Sequence, residues 1–190
     1  MRYKFPLAIL CISIFCTSLM AQKYGSSEGV VVVKEWNGIS FSSEMSLAEN
    51  VSLAPNFEKL SAILKEVEDK IVTEDFMGTV FISVDTSYNS LTEEELEALF
   101  ADSAALERFF KYYVVPGRLD AYSLKKAIEK NGGVAKLKTL HGENLSIKIE
   151  NGQLSLFDMQ NNTARIIASD FYHKNGLFHI VEGLVFPNVK

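Results

Sequence analysis

The hydrophobic period changes part-way along the chain, and this change limits the folds that are open to it. Through most of residues 57–113 apolar side chains recur every three or four positions, which is typical of amphipathic helices. Later they alternate with polar side chains, as in Leu145, Ile147 and Ile149, which is typical of strands with one buried face. Helices followed by antiparallel strands indicate an α+β domain rather than a doubly wound sheet.

Polar residues at segment ends predict where individual elements begin. Asn56 is a candidate N-cap for the first long helix, and Thr92 with Glu95 forms a capping box for a later one. Asp102 can cap a further helix. Between the first two helices, the apolar run 78–85 predicts a buried strand.

Two Asn-Gly pairs predict tight hairpins, because both residues tolerate the positive φ that such turns require. Asn37-Gly38 joins a valine-rich run to a second short strand, so we expect a small hairpin before the main domain. We expect the valine run to pair with the main sheet; an exposed edge is the alternative. Asn151-Gly152 predicts a second hairpin among the later strands.

The first 21 residues have the layout of a secretory signal peptide. Two basic residues precede the apolar run 5–15, and small and polar residues follow it up to Ala21. The run is shorter than the roughly 20 apolar residues of a membrane span. Neither Cys11 nor Cys16 follows the small residue that lipoprotein processing requires. We therefore expect cleavage after Ala21 and no stable membrane anchor afterwards.

Composition excludes several classes of function for the mature chain. Both cysteines lie in the signal, which removes disulfides, a thiolate nucleophile and cysteine-bound metals. Loss of residues 1–21 removes two basic residues and no acid, so the formal charge goes from −5 to −7. Nucleic-acid binding requires clustered basic residues, so we expect no nucleic-acid partner.

Three segments, taken in order, are similar to boxes of the fasciclin-like domain family. Residues 78–85 resemble its opening Thr-Val-Phe box, and residues 175–187 resemble its closing Asn-Gly box. Residues 112–117, Tyr-Tyr-Val-Val-Pro-Gly, resemble its Tyr-His-Val-Val-Pro-Gly motif, with Tyr113 in place of the histidine. Together with the signal and hairpin patterns, the resemblance divides the chain into a signal peptide at 1–21, a leader with a predicted hairpin at 22–44, and a fasciclin-like domain at 45–188.

The resemblance implies a wedge of about seven β-strands flanked by helices. It also implies a secreted, periplasmic or cell-surface protein that adheres to a protein, matrix or glycan partner and needs no cofactor. In the family, the Tyr-His pair has been proposed as adhesive, which makes Tyr112 and Tyr113 candidate binding residues. The alternative, which we favour, is structural. On a helix Tyr113 falls near the centre of the apolar face and Tyr112 near its edge, so we expect Tyr113 to be buried, with its hydroxyl bonded.

No pattern in the sequence indicates an enzyme or a metal site. We expect His141 and His173 in exposed turns and His179 as a hydrogen-bonded structural residue in a strand. The acidic run 93–97 is a helix start with a solvated face, and residues 158–162 form a turn. The alternative is a small-ligand carrier or hydrolase, which would need a pocket that holds His173 or His179 beside a carboxylate.

Overall fold

The computed structural model describes residues 30–72 and 76–188, so the predicted signal peptide and the first part of the leader lie outside the described residues. From Val31 onward the chain forms one compact unit. Its elements, in chain order, are β1 Val33–Trp36, β2 Ile39–Ser42, α1 Leu47–Ser52, α2 Glu58–Ile71, β3 Gly78–Ser83, a 3₁₀-helix Asp85–Ser90, α3 Glu93–Ala101, α4 Ser103–Tyr112, β4 Val114–Pro116, α5 Ala121–Lys130, β5 Val134–Lys138, β6 Asn144–Glu150, β7 Gln153–Phe157, β8 Thr163–His173 and β9 Gly176–Gly183.

Seven strands form a mixed sheet in the order β4-β3-β9-β8-β7-β6-β5. Strands β3 and β9 run parallel, and the other neighbours are antiparallel. The sheet curls so far that its two ends approach each other: beyond β5, the backbone N–H of Leu140 donates to the carbonyl of Val114 in β4 at 2.8 Å. The predicted α+β wedge of about seven strands, flanked by helices, is confirmed.

The parallel pair of β3 and β9 begins at two glycines. Gly78 lies opposite Gly176, and a Cβ atom on Gly176 would overlap the carbonyl oxygen of Gly78. Only glycine lets the two backbones approach this closely. The glycine of the closing Asn-Gly box is therefore required by the close packing of backbones at the start of β9.

The N-terminal hairpin forms as predicted but remains a separate two-stranded sheet. Pairing of its valine run with the main sheet is wrong, since Val33 is 58% exposed. The hairpin instead packs against side chains of the main sheet. The Phe41 ring lies 5.3 Å from the rings of Phe171 in β8 and Phe178 in β9. At the outer edge of β2, the Asn50 amide bonds both backbone groups of Ser42, at 2.8 and 3.0 Å.

Helix α2 is capped from a distance. The Asp85 carboxylate accepts the backbone N–H groups of Glu58 and Lys59 at 2.8 and 2.9 Å. The Asn56 cap is therefore wrong: the N-cap position is Phe57, whose side chain forms no capping bond. The Thr92 capping box and the Asp102 cap are confirmed. Within the described ranges, no helix is long and apolar enough to cross a bilayer.

Candidate functional site

Tyr113 lies at the end of α4, where it ties this helix to the C-terminal segment. Its side chain is 3% exposed, and its hydroxyl donates to the carbonyl of Val185 at 3.0 Å and accepts from the N–H of the same residue at 2.8 Å. Burial raises the pKa of the phenol above its ordinary value. The expectation of a buried ring with a bonded hydroxyl is confirmed.

Tyr112 is also buried, which the expected edge position on the helix does not explain. It is 1% exposed, because the turn after β5 covers this side of α4. The ring of His141 in that turn stands edge-on to Tyr112 at 6.1 Å, and the Tyr112 hydroxyl donates to the carbonyl of Asn144 at 3.3 Å. Burial raises the pKa of Tyr112 to about 12. The expectation that Tyr112 is less buried than Tyr113 is wrong.

Two adjoining hollows lie near this pair. The first, of about 760 Å³, is bounded by α3, the 161–163 loop and the end of β9. The second, of about 640 Å³, is bounded by α4, the 141–143 turn and residues 186–188. Because Leu99 and Phe186 line both hollows, we treat them as one feature, the α3 groove.

The tyrosine pair supports the α3 groove from beneath. Phe109, which lines the second hollow, packs its ring 5.1 Å from Tyr113 and 5.8 Å from Phe186. His141, which lines the same hollow, packs against Tyr112. The candidate binding residues from the sequence thus lie one layer below the groove, and the groove presents their neighbours instead.

The Asp158 carboxylate fixes both the C-terminal segment and the loop that bounds the first hollow. It is buried and accepts the backbone N–H groups of Phe186, Gln160 and Asn162 at 2.8, 2.9 and 2.9 Å. Residues 158–162 therefore form the predicted turn, held by one acidic side chain. Hydrogen bonds of one side chain therefore tie the 160–162 loop to Phe186 on this side of the groove.

Helix α3 forms the opposite wall and is only lightly packed. None of its residues is fully buried; Leu96, Leu99 and Phe100 are half-buried against the core. One side of α3 borders the groove, since Glu95 and Leu99 line the first hollow. Glu93, Glu94 and Glu95 are exposed at the helix start, as the sequence predicts.

His179 is a buried structural residue, as expected. Its Nε2 lies 2.8 Å from the carbonyl of Leu119, and its Nδ1 accepts the N–H of Asp170 at 3.3 Å, which assigns the neutral Nε2–H tautomer. Burial lowers its pKa. The Asp170 carboxylate lies 3.9 Å from Nδ1, but the imidazole is fully buried and lines neither hollow.

His173 does not lie in an exposed turn. Strand β8 continues to this residue, so His173 is 2% exposed and its ring packs 6.2 Å from Phe178. Burial lowers its pKa to about 4, and the nearby charge of Arg118 adds to this effect. Its Nε2, like Nδ1 of the half-buried His141, has no hydrogen-bond partner in the described structure. Neither His173 nor His179 lines either of the two hollows described above.

Comparison with known proteins agrees with the fold and the boxes. The Fasciclin domain family model matches residues 55–187. The chain belongs to the fasciclin domain family. Human periostin is 26% identical over 179 residues, which are 94% of this chain and 20% of periostin. Protein sll1483 of Synechocystis is 25% identical over 148 residues, 76% of this chain and 75% of that protein.

The solved FAS1 domain pair of the insect cell adhesion molecule Fasciclin I has the same fold. Its TM-score is 0.60 at 12% identity, over 81% of this chain and 66% of that chain. The chain therefore spans a fifth of periostin and less than two thirds of the domain pair's length.

In this fasciclin domain the three boxes supply three neighbouring strands at one end of the sheet order, β4, β3 and β9. The opening box forms β3 and the Asp85 cap, the Tyr-Tyr box forms the end of α4 and β4, and the closing box forms β9 and the segment that reaches Phe186. The α3 groove was not identified from the sequence. Two sequence signals could have indicated the groove. One is the narrow apolar stripe of α3, and the other is the apolar Phe186-Pro187 pair beyond the last strand.

Proposed function

We propose that this chain is an exported, non-enzymatic adhesion module that contacts a protein partner through the α3 groove. The observation that carries the proposal is the pair of hollows that meet at Leu99 and Phe186. The buried tyrosine pair has no surface to offer, which favours the groove above it as the contact. The signal-peptide pattern at 1–21 supports export, and the name of Fasciclin I as a cell adhesion molecule supports the class of function.

The anatomy of the groove suits a protein contact. Its centre is apolar, with half-buried Leu99 and Phe186, and its margins carry polar residues such as Asn161 and Asn188. Protein interfaces share this pattern of an apolar centre inside a polar rim. The Asp158 turn and the Tyr113 hydroxyl hold one side rigid, which lowers the entropy cost of binding.

The test is attachment to an immobilised surface extract of the source cells. We expect Leu99→Lys to weaken attachment about 10-fold or more, because it places a charge at the apolar centre. The control is Tyr122→Lys, a like change at an exposed aromatic on α5, which should attach as wild type does. If both variants attached as well as wild type, the proposal that the α3 groove is the contact surface would be wrong.

Export has its own test. Mass spectrometry of the exported protein should find Gln22 at the N-terminus, as cleavage after Ala21 requires. An intact N-terminus or a lipid on Cys16 would contradict the export proposal.

A further inference from the structure

We infer that two copies of the chain form a twofold dimer by pairing their N-terminal hairpins edge to edge. The contact surface is the outer backbone edge of β1 and of the valine run 30–33 that leads into it, and we call it the valine edge. None of these residues lines the α3 groove, so the inference does not depend on the proposed function.

The backbone groups of the valine edge point alternately towards β2 and away from it. The carbonyl of Val32 faces β2 and accepts the N–H of Ser43 at 2.9 Å. The next residue, Val33, lies opposite Ser42, whose N–H and carbonyl bond the Asn50 amide instead. Because neighbouring pairs of an antiparallel ladder alternate in this way, the N–H and carbonyl of Val33 point outward. No group among the described residues bonds them, so this edge can receive another strand.

The side chains of the valine edge are apolar and open to solvent. All four valines of the run 30–33 are between 41% and 70% exposed. Soluble proteins usually protect an open strand edge with lysine or proline, and the run contains neither. Valine favours strands, and cross-strand pairs of β-branched residues stabilise a sheet. A second strand would therefore satisfy the backbone and cover the side chains together.

The charge of the hairpin permits a second copy of the chain as the partner. The whole chain has a formal charge of −5, and such a charge opposes self-association. Residues 30–42, however, carry only Lys34 and Glu35 and are neutral. Two copies can therefore approach at this edge without repulsion, and one valine run supplies the apolar side chains that the other requires.

The valines also select the register of the pair. A twofold axis at Val32 places Val32 opposite its own copy and Val31 opposite Val33 of the other copy. Val31 and Val33 then exchange their outward hydrogen bonds. An axis at Lys34 would instead place two ammonium groups opposite each other, which destabilises a sheet. An axis at Val33 would place Val32 opposite Lys34. The register centred on Val32 is the one that pairs valine with valine throughout.

The assembly stops at two copies because the other edge of the hairpin is closed at Ser42. Asn50 is fully buried and bonds both backbone groups of that residue, at 2.8 and 3.0 Å. On the β1 side, the Lys34 amino group donates to the carbonyl of Ser169 in β8 at 2.6 Å and holds the strand against the domain. The pair is smaller than a standard interface of about 1,600 Å², so we expect a weak dimer that dissociates on dilution.

Sedimentation velocity of the mature protein tests for the dimer. We expect monomer at about 10 μM and a dimer fraction that rises towards about 1 mM. Val33→Lys should raise the dissociation constant about 10-fold or more, because it places a lysine opposite Val31 of the other copy. The control is Ser40→Lys, which adds the same charge on the same face of the hairpin but in β2, and should dimerise as wild type does. A protein that stays monomeric throughout, or equal behaviour of the two variants, would overturn the inference.

Cysteine crosslinking tests the register. Both native cysteines lie within residues 1–21, so Val32→Cys gives the mature protein a single thiol. The Cα atoms of a non-hydrogen-bonded pair lie about 4.5 Å apart, within the range that a disulfide spans. Under mild oxidation we expect Val32→Cys to form a covalent dimer about 10-fold faster than the exposed control Ser40→Cys. Equal rates would show that the two copies do not meet at Val32, contrary to the inference.

Hydrogen exchange identifies the backbone groups that pair. The N–H of Val33 should exchange about 10-fold more slowly at the high protein concentration, because the dimer protects it. The N–H of Val32, which already donates to the Ser43 hydroxyl at 3.0 Å, should change little. If Val33 exchanges equally fast in monomer and dimer, the copies meet at another surface and the inference is wrong. Leu99→Lys should dimerise as wild type does, so the outcome for the α3 groove is measured separately.

Discussion

At the scale of single residues, two polar side chains buried in the core differ in how their hydrogen-bonding groups are satisfied. The Tyr113 hydroxyl pairs with both backbone groups of Val185, across 72 positions of sequence. The imidazole of His173 is buried with one ring nitrogen unpaired. The two side chains lead to different predictions, because the Tyr113 hydroxyl has hydrogen-bond partners and one ring nitrogen of His173 has none.

Tyr113→Phe should destabilise the domain by about 1–3 kcal/mol, because it leaves the N–H and carbonyl of Val185 unpaired in the core. Tyr112→Phe should cost less, since the Tyr112 hydroxyl forms one longer bond, at 3.3 Å. Urea unfolding of the two variants checks the order. Equal losses, or a larger loss for Tyr112→Phe, would contradict the assigned role of Tyr113.

The second residue-scale prediction concerns pH. Burial lowers the pKa of His173 from an ordinary value of 6.5 to about 4, so between these values the unfolded chain binds more protons than the folded domain. Stability is therefore fully present above about pH 6.5 and falls as the pH drops towards 4. His173 should contribute a loss of about 2 kcal/mol between pH 7 and 5.

His173→Gln should remove this part of the pH dependence, while His141→Gln, at a partly exposed site, serves as the matched control. Urea melts at the two pH values measure the difference. A His173→Gln variant that loses as much stability as wild type between pH 7 and 5 would show that His173 does not cause the loss.

At the scale of elements, helix caps fall into local and distant classes. Thr92 and Glu95 cap α3 within one turn, and Asp102 caps α4 in the same way. The start of α2 instead depends on Asp85, which lies 27 positions from Glu58. The distant cap fastens α2 to the end of β3, so it is at once a helix cap and a tertiary contact.

Asp85→Ala should therefore destabilise the domain by about 1–2 kcal/mol, the upper range for a lost cap, because two N–H groups of α2 lose their acceptor. Asn56→Ala should change the free energy of unfolding by less than about 0.5 kcal/mol, since the Asn56 side chain forms no capping bond. Thermal or urea unfolding distinguishes the two. If Asn56→Ala destabilised the domain more than Asp85→Ala, the N-cap of α2 would be Asn56 after all, as the sequence predicts.

At the scale of the whole molecule, the hairpin before the family's matched region is part of the core. The family match begins at residue 55, yet Phe41 in β2 is only 1% exposed. Its ring packs against the rings of Phe57 at the start of α2, Phe171 in β8 and Phe178 in β9. The main sheet also depends on contacts between distant parts of the sequence, since β9 is the last strand in the chain but lies between β3 and β8.

A chain that starts at residue 45 should therefore be less stable than one that starts at residue 30, by about 3–5 kcal/mol, the usual cost of losing a buried phenylalanine. Phe41→Ala in the longer chain should show a loss of similar size. Urea midpoints of the three proteins test this. If the shorter chain unfolds at the same urea concentration as the longer one, the hairpin is a dispensable leader.

Much of the fold could be predicted from the sequence, but less of the site. The change of hydrophobic period and the order of the boxes indicated the α+β wedge, and Asn37-Gly38 indicated the hairpin. Burial of Tyr113 followed from its place on the helix face. The groove did not follow, because its walls come from α3, the 161–163 loop and the C-terminal segment, which only the folded chain brings together.

The sequence by itself determined those features that depend on neighbours within about one helical turn or one strand repeat. These are the alternation of strands, the capping box at Thr92 and the tight Asn-Gly turns. The tertiary structure alone decided the burial of Tyr112 and His173 and the capping of α2 by Asp85. The physical reason is distance along the chain: Tyr112 reaches its partner Asn144 across 32 positions, and no local pattern records which segment will cover a helix.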